Sequence, residues 1–344
     1  MPRSVGILTL FWLLFVLPAL AAGVSSPELY EAEVPVSGQQ PGERTAAMKT
    51  ALSEVLVRIT GRREQAHQEL LQDPARYVQQ YRYYTVPDSQ PPQLRLQVRF
   101  DGVALQQALR RQGVAYWGDS ERPDTLVWLA IEERGVRSIV AADDDSVARR
   151  QLQLAARHRG VPLLFPLLDL EDQAQVRFGD IWGGFFDRVL AASGRYRPQA
   201  VLIGRLNRDP YGEWVARWTL QAGSNTTSWS GSDPQLETLL QAGIDNMADT
   251  LAMRLAVTDT GAPGDAVVIR VEDINTLAAY ARVNDYLASL SAIRKFQVEQ
   301  VSDSAVQYAL QLNGSLQGLN RTISIGTVLE PSASGAPGSY RLRQ

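Results

Sequence analysis

The chain offers little to a nucleophile or a metal. It has two histidines, His67 and His158, and no cysteine. A Ser-His-Asp triad needs a serine beside an imidazole, and the strained G-x-S-x-G turn that presents such a serine does not occur. Zinc sites gather several His, Cys or carboxylate ligands, and neither histidine has such a cluster close in sequence. His158 stands between Arg157 and Arg159 near a predicted helix C-terminus, where a cation complements the dipole, and is expected on the surface. His67 falls in the polar stretch Arg62–Gln68 and is read the same way. The run Asp143-Asp144-Asp145 lacks the alternate-position ligands and late Glu of a Ca²⁺ loop, and reads as a helix start. Asp169, Glu171 and Asp172 form a second acidic turn of the same kind. Paired carboxylates can hydrolyse a glycosidic bond without histidine. Glu171, Asp172 and Asp180 are the candidates for that chemistry, although their spacing places no two of them in one cleft. Neither phosphate-binding glycine pattern, G-x-x-x-x-G-K-[ST] or G-x-G-x-x-G, is present. No catalytic, cofactor-binding or metal-binding residue is therefore expected. Tyr81-Arg82-Tyr83-Tyr84 mixes aromatic and basic residues as single-strand nucleic-acid binders do, but tyrosine also favours strands, and a strand is the better account.

Tryptophan is the most informative side chain. Beyond residue 22, every tryptophan lies between Trp117 and Trp229. A two-residue loop at Gly223-Ser224, with glycine at the first position of a type II′ turn, makes Ala222 face Asn225 and Trp218 face Trp229. Trp214, Ala216, Trp218 and Leu220 then share one face. An aromatic cross-strand pair contributes roughly 0.2–1 kcal/mol. Two readings follow: a core beneath a long helix, or a binding surface of Trp214, Trp218 and Trp229 that meets a glycan or an envelope protein.

Three sheet-and-helix units must position these residues, in an α+β / α/β plan. Residues 27–117 read as β-α-(α)-β-β-α: a strand at Leu29–Val36 with Pro35 marking an edge, a helix at Glu43–Thr60 stopped by Gly61, and a short helix near Pro74–Gln80. Strands Tyr81–Val86 and Gln93–Phe100 follow, and then a helix to Arg111 capped by Asp101. Residues 120–258 alternate buried strands (Thr125–Ile131, Val161–Leu167, Ala200–Leu206) with helices (Ser146–His158, Asp180–Ala192). The hairpin Glu213–Ala222/Asn225–Ser230 comes next. A helix at Pro234–Val257 closes this Trp-rich unit, with Asp233 as its cap and Pro234 at its first position. Gly183-Gly184 inside the Asp180–Ala192 segment weakens that helix. After a linker at Thr258–Asp265, residues 266–331 read β-α-β-β-α-β, a ferredoxin-like plan. The Ser-, Gly- and Pro-rich tail 332–344 is expected to be disordered.

Location is read from the first residues. Arg3, the apolar run Val5–Leu20 and the small residues Ala19, Ala21 and Ala22 make residues 1–22 a signal peptide. The uninterrupted run to Leu17 is short for a membrane span, which needs roughly 20 apolar residues. Retained, the leader would tether the chain as a membrane scaffold. Without cysteine, disulfides and a lipid-bearing thiol are both excluded. The chain has 34 Lys and Arg against 37 Asp and Glu, so it lacks the basic excess of a nucleic-acid binder.

Several segments together resemble a family of exported Gram-negative proteins catalogued as a domain of unknown function. They are the leader, Ala46–Gly61 with its Thr60-Gly61 ending, the strand Val201-Leu202-Ile203-Gly204-Arg205-Leu206, and the Trp214…Trp218-Thr219-Leu220 hairpin. The resemblance runs over most of the chain beyond the leader. It implies location and architecture and carries over no site residues. More loosely, the middle unit looks like the small α/β domain of outer-membrane activators of peptidoglycan synthases and of curli-secretion proteins. The lipid-anchoring cysteine of those activators is absent here. The expected function is a non-catalytic, periplasmic accessory or binding protein of the cell envelope, with no cofactor and no membrane span once the leader is cut. A carboxylate-dependent hydrolase of envelope glycans and a membrane-tethered scaffold are the alternatives.

Overall fold

The computed structural model describes residues 26–63, 68–87, 91–118, 122–256, 267–302, 304–312, 316–332, 336 and 338–343. The expected leader, His67 and the linker Thr258–Asp265 lie outside the described residues. The chain forms three sheets in a mixed α+β architecture.

The first unit runs α1 (Ser26–Leu29), β1 (Glu31–Pro35), α2 (Pro41–Thr60), α3 (Gln68–Gln72), β2 (Val78–Thr85), β3 (Leu94–Phe100) and α4 (Gly102–Arg111). Its antiparallel order is β1-β3-β2, which puts Pro35 on an edge strand where a missing N–H costs no ladder bond. The α2 stripe Met48, Leu52, Val55, Leu56 and Ile59 is buried against the sheet. Asp101 caps α4 by accepting the Ala104 N–H at 3.1 Å. The expected helix near Pro74–Gln80 shrinks to one 3₁₀ turn, Pro74–Tyr77. Val78 already pairs with Phe100, because ladder bonds to β3 outcompete a helix of so few turns.

The middle unit contains β4 (Thr125–Glu133), β5 (Val136–Ile139), α5 (Val147–Arg159), β6 (Leu163–Leu164), α6 (Leu170–Gln175), α7 (Phe178–Gly183) and α8 (Phe186–Ser193). It continues with β7 (Ala200–Arg208), β8 (Trp214–Ala222), β9 (Asn225–Asp233) and α9 (Leu236–Leu255). The sheet order is β5-β4-β7-β8-β9, with β6 beside β4. Helices cover both faces of its centre. Val127, Leu129, Leu202 and Leu206 meet α5 and α9 on one side, while Leu126, Trp128, Val201 and Ile203 meet α6–α8 on the other. That is why these strands read as continuous apolar runs.

Three expectations change here. The strand Val161–Leu167 is cut to Leu163–Leu164, since Pro162 and Pro166 have no N–H to give a ladder; their carbonyls instead accept from Thr125 and Ala142. The segment Asp180–Ala192 splits into α7 and α8 at Gly184, which takes φ 81°. Asp233 ends β9 instead of capping α9. Its carboxylate accepts the Gln235 N–H at 2.7 Å, and Pro234 precedes the helix.

Trp218 explains two glycines that weaken the elements they occupy. A Cβ on Gly204 of β7 would lie 2.4 Å from the Trp218 ring, and one on Gly243 of α9 would lie 2.8 Å from it. The indole fills the notch left by two missing side chains, one in the sheet and one in the helix.

The third unit runs β10 (Val267–Glu272), α10 (Leu277–Ser289), β11 (Ile293–Ser302), β12 (Ala305–Leu312), α11 (Leu316–Ile325), β13 (Leu329–Pro331) and β14 (Ser339–Leu342). The first six elements follow the ferredoxin-like plan, but the sheet order is β11-β12-β10-β14-β13. The expected disordered tail supplies a fifth strand at Ser339–Leu342. It lies parallel to β10 and antiparallel to β13, and buries Tyr340 and Leu342. The alternation of those two apolar residues with Ser339 and Arg341 overrides the loop-like composition around them.

The first and middle units are locked where α2 and α5 end. Both helices stop at left-handed glycines, Gly61 at φ 69° and Gly160 at φ 64°. Three buried arginines serve the carbonyls gathered there. Arg58 donates to Glu28 O and Glu31 O, each at 2.7 Å, and to His158 O at 3.3 Å. Arg122 donates to Arg159 O at 3.0 Å, Gly160 O at 2.9 Å and Arg58 O at 2.7 Å, and stacks on Trp117 at 4.2 Å. Arg159 reaches Gly61 O at 2.9 Å, and pairs with Asp245 at 2.8 Å and Asp249 at 2.6 Å on α9.

Two measurements test this packing. Gly204→Ala forces its new methyl into the Trp218 ring and is expected to lower stability by about 1–3 kcal/mol in urea unfolding. Arg159→Met removes one member of a buried ion-pair cluster and is expected to cost about 3–5 kcal/mol in the same assay. An unchanged midpoint in either variant would contradict the corresponding contact.

Candidate functional site

The hairpin places the three tryptophans differently. The turn at Gly223, φ 58°, sets Ala222 against Asn225 and Trp218 against Trp229, the register expected from the two-residue loop. Trp214 and Trp218 are buried in the core beneath α9. Trp229 is half-buried one strand further out, and it lines a groove of about 780 Å³. Of the three indoles that could form a binding face, Trp214 and Trp218 pack as core and Trp229 alone lines the groove.

Three elements build this groove. Edge strand β9 contributes Thr227 and Trp229, α9 contributes Asn246, Thr250 and Met253, and Gly61-Arg62-Arg63 after α2 closes one wall. Met253 is 65% exposed, an unusual position for a large apolar side chain. Arg63 holds the wall in place: it pairs with Asp249 at 2.7 Å and Asp245 at 3.3 Å, and donates to Asn246 Oδ1 at 3.3 Å. Asp245 and Asp249, one helical turn apart, therefore bridge Arg63 outside and Arg159 inside. The Trp229 Nε1–H is shielded from solvent and has no acceptor among the described residues. The groove sets the apolar Trp229 and Met253 among polar side chains from three parts of the chain, in the size range of ligand sites.

The candidate carboxylates are held in structural roles. Asp169 caps α6 and receives both ends of the Arg195 guanidinium, at 2.7 and 2.8 Å. Arg195 holds its carboxyl well below the usual range. Asp172 is fully buried and accepts from Leu168 N at 2.9 Å, Tyr196 OH at 2.5 Å and Arg195 at 3.0 Å. Glu171 is more exposed and lies 3.6 Å from Arg195. Asp180, on α7, accepts Arg177 N at 2.8 Å and pairs with Arg188 at 3.1 Å. With their oxygens taken up by arginines and backbone amides, Asp169, Asp172 and Asp180 serve as caps and ion-pair partners of the local fold. In the other acidic run, Asp144 accepts Ser146 N and Asp145 pairs with Arg150, as a helix start requires.

His158 is exposed at the end of α5. Beside it, Glu54 of α2 sits in a shallow cleft with Arg58 and Arg95. Burial pushes the Glu54 carboxyl up, against the opposing pull of His158, Arg58 and Arg95, and burial pushes the Arg58 guanidinium down. Composition did not single out the arginines or the Asp245/Asp249 pair. The available signals were basic residues in the last turns of α2 and α5, each just before a glycine, and two carboxylates four residues apart within the apolar helix α9.

Tyr196 provides a pH test of the Asp172 cluster. Burial first, and then its bond to Asp172, push its hydroxyl up to about 12. The unfolded chain loses this proton near pH 10. The contribution is therefore intact below that pH and is lost as pH rises toward 12. Urea midpoints measured at pH 9 and 11 should fall less steeply with pH in Tyr196→Phe than in the parent, and equal slopes would contradict the assignment.

Residues 24–118, which span the first unit, match the profile of a domain of unknown function, DUF8605. No curated protein matches the chain.

Proposed function

We propose that this chain is an exported protein of the cell envelope that acts by binding, without catalysis, and that the groove beside Trp229 is its contact site. The observation that carries this reading is the groove itself: a half-buried indole, an exposed Met253 and a pinned Arg62-Arg63 wall around about 780 Å³. Export to the periplasm rests on the signal-like residues 1–22 and on the resemblance to exported Gram-negative proteins. No helix among the described residues is long and apolar enough to cross a membrane. An envelope protein or a glycan is the partner class. The carboxylate hydrolase has less support, since Asp172 and Asp180 are engaged by arginines and backbone amides.

In-cell photo-crosslinking tests both parts. A photoreactive residue at Met253 should yield a discrete adduct, whereas the same residue at Leu170, exposed on α6, should not. The recovered protein should fractionate with the periplasm, and its intact mass should lack the first 21 or 22 residues. Equal labelling from the two positions would overturn the groove assignment, and untrimmed cytosolic chain would overturn export.

A further inference from the structure

Strand β9 is the outermost strand of the middle sheet and pairs only with β8 among the described residues. Counting from the two-residue turn, Ala222 and Asn225 form a hydrogen-bonded pair, and such pairs alternate along the ladder. Thr227, Trp229 and Gly231 therefore turn their backbone N–H and C=O toward β8. Thr226, Ser228, Ser230 and Ser232 turn theirs away from the sheet, and no described backbone group outside the ladder meets them. Sheets normally blunt such an edge with lysine, proline, a bulge or a covering segment. Between Asn225 and Ser232 there is no charged residue and no proline, and the β8–β9 register is unbroken. The groove lies along this bare edge, on the side of the sheet where Trp229 and α9 face each other.

From this juxtaposition we infer that the groove takes an extended peptide segment of a partner protein, added to β9 as a further strand. The inference rests on the groove being the contact site. Donors and acceptors repeating every second residue, about 7 Å apart, are matched by another strand backbone and not by a glycan or a lipid headgroup. A strand docked there points alternate side chains between Trp229 and Met253, which selects apolar residues at every second position. Arg62 lines the groove and has no ion pair among the described residues, while Arg63 is neutralised by Asp245 and Asp249. Arg62 thus selects a carboxylate in the incoming segment.

A library of nine-residue peptides displayed on phage, selected against the full chain, tests this. Enriched sequences should alternate apolar residues and carry an acidic one. Ser230→Pro removes an outward N–H and spares the β8 ladder, so it should weaken binding at least about tenfold. Met253→Glu should do the same, and Leu170→Glu should not. Arg62→Glu should weaken the acidic peptides most. Should Ser230→Pro fail to fold, hydrogen exchange on the parent protein gives the same answer: saturating peptide should slow the amides of Thr226, Ser228, Ser230 and Ser232. Binding that Met253→Glu abolishes but Ser230→Pro and these amides ignore would overturn strand addition and leave the groove assignment standing. Failure to enrich any peptide, alongside a specific Met253 crosslink to a glycan, would overturn the peptide class alone. A dimer in sedimentation that Ser230→Pro dissociates would show a second copy of this chain on the edge, and would also overturn the proposal.

Discussion

Two helices ending at one place with the same sign of charge are the constraint around which the first and middle units are organised. The C-termini of α2 and α5 each leave carbonyls without intrahelical partners and carry the negative end of a dipole. Brought together bare, they would repel and strand acceptors away from water. Arg58, Arg122 and Arg159 resolve this, each no more than 6% exposed and each spreading its donors over carbonyls from more than one element. A planar guanidinium with five donors suits this task in a way that an ammonium does not. The delocalised charge also stacks on Trp117, whose ring belongs to the middle core although its residue precedes the middle sheet.

The groove is a consequence of that junction. Its wall, Gly61-Arg62-Arg63, is the chain leaving α2 immediately after the locked carbonyls. Asp245 and Asp249 hold it from below because Arg159 already holds them. A change at the arginines would therefore reach the groove without touching Trp229. The residue at C′ of α2 leaves little slack: a Cβ on Gly61 would lie 2.1 Å from the Ala252 methyl. Such close approach between the first unit and α9 keeps the wall at a fixed distance from Met253.

Much of the local order was legible because it depends on near neighbours. Gly223-Ser224 determined the hairpin register and hence the Trp218–Trp229 pair, and the spacing of Leu240, Ile244, Met247 and Leu251 exposed the α9 stripe. What escaped depends on partners distant in sequence. Pro162 and Pro166 look harmless in an apolar run until the ladder asks them for N–H groups. Tyr340 and Leu342 look like a tail until a space between β10 and β13 receives them. The arginines were the deepest omission. Their role requires knowing that α2 and α5 end side by side, and nothing within either helix states this.

The same logic separates Trp218 from Trp229, two identical side chains paired across one ladder. Trp218 has strands on both sides, and its ring fills the space left by Gly204 on the neighbouring strand β7 and by Gly243 on the covering helix α9, so it is enclosed. Among the described residues, Trp229 has β8 on one side only, and its other flank is the boundary of the sheet. An indole there keeps apolar area next to an open edge, which a sheet built only for stability would cover. The surrounding Ser and Thr residues keep that edge soluble without obstructing its backbone. Hydroxyl side chains are short and uncharged, so a strand can still approach to the normal spacing of roughly 4.8 Å. Composition and position in β9 thus act in one direction: among the described residues the sheet ends there in a row of outward-facing peptide groups, with the groove of Trp229 and Met253 beside them.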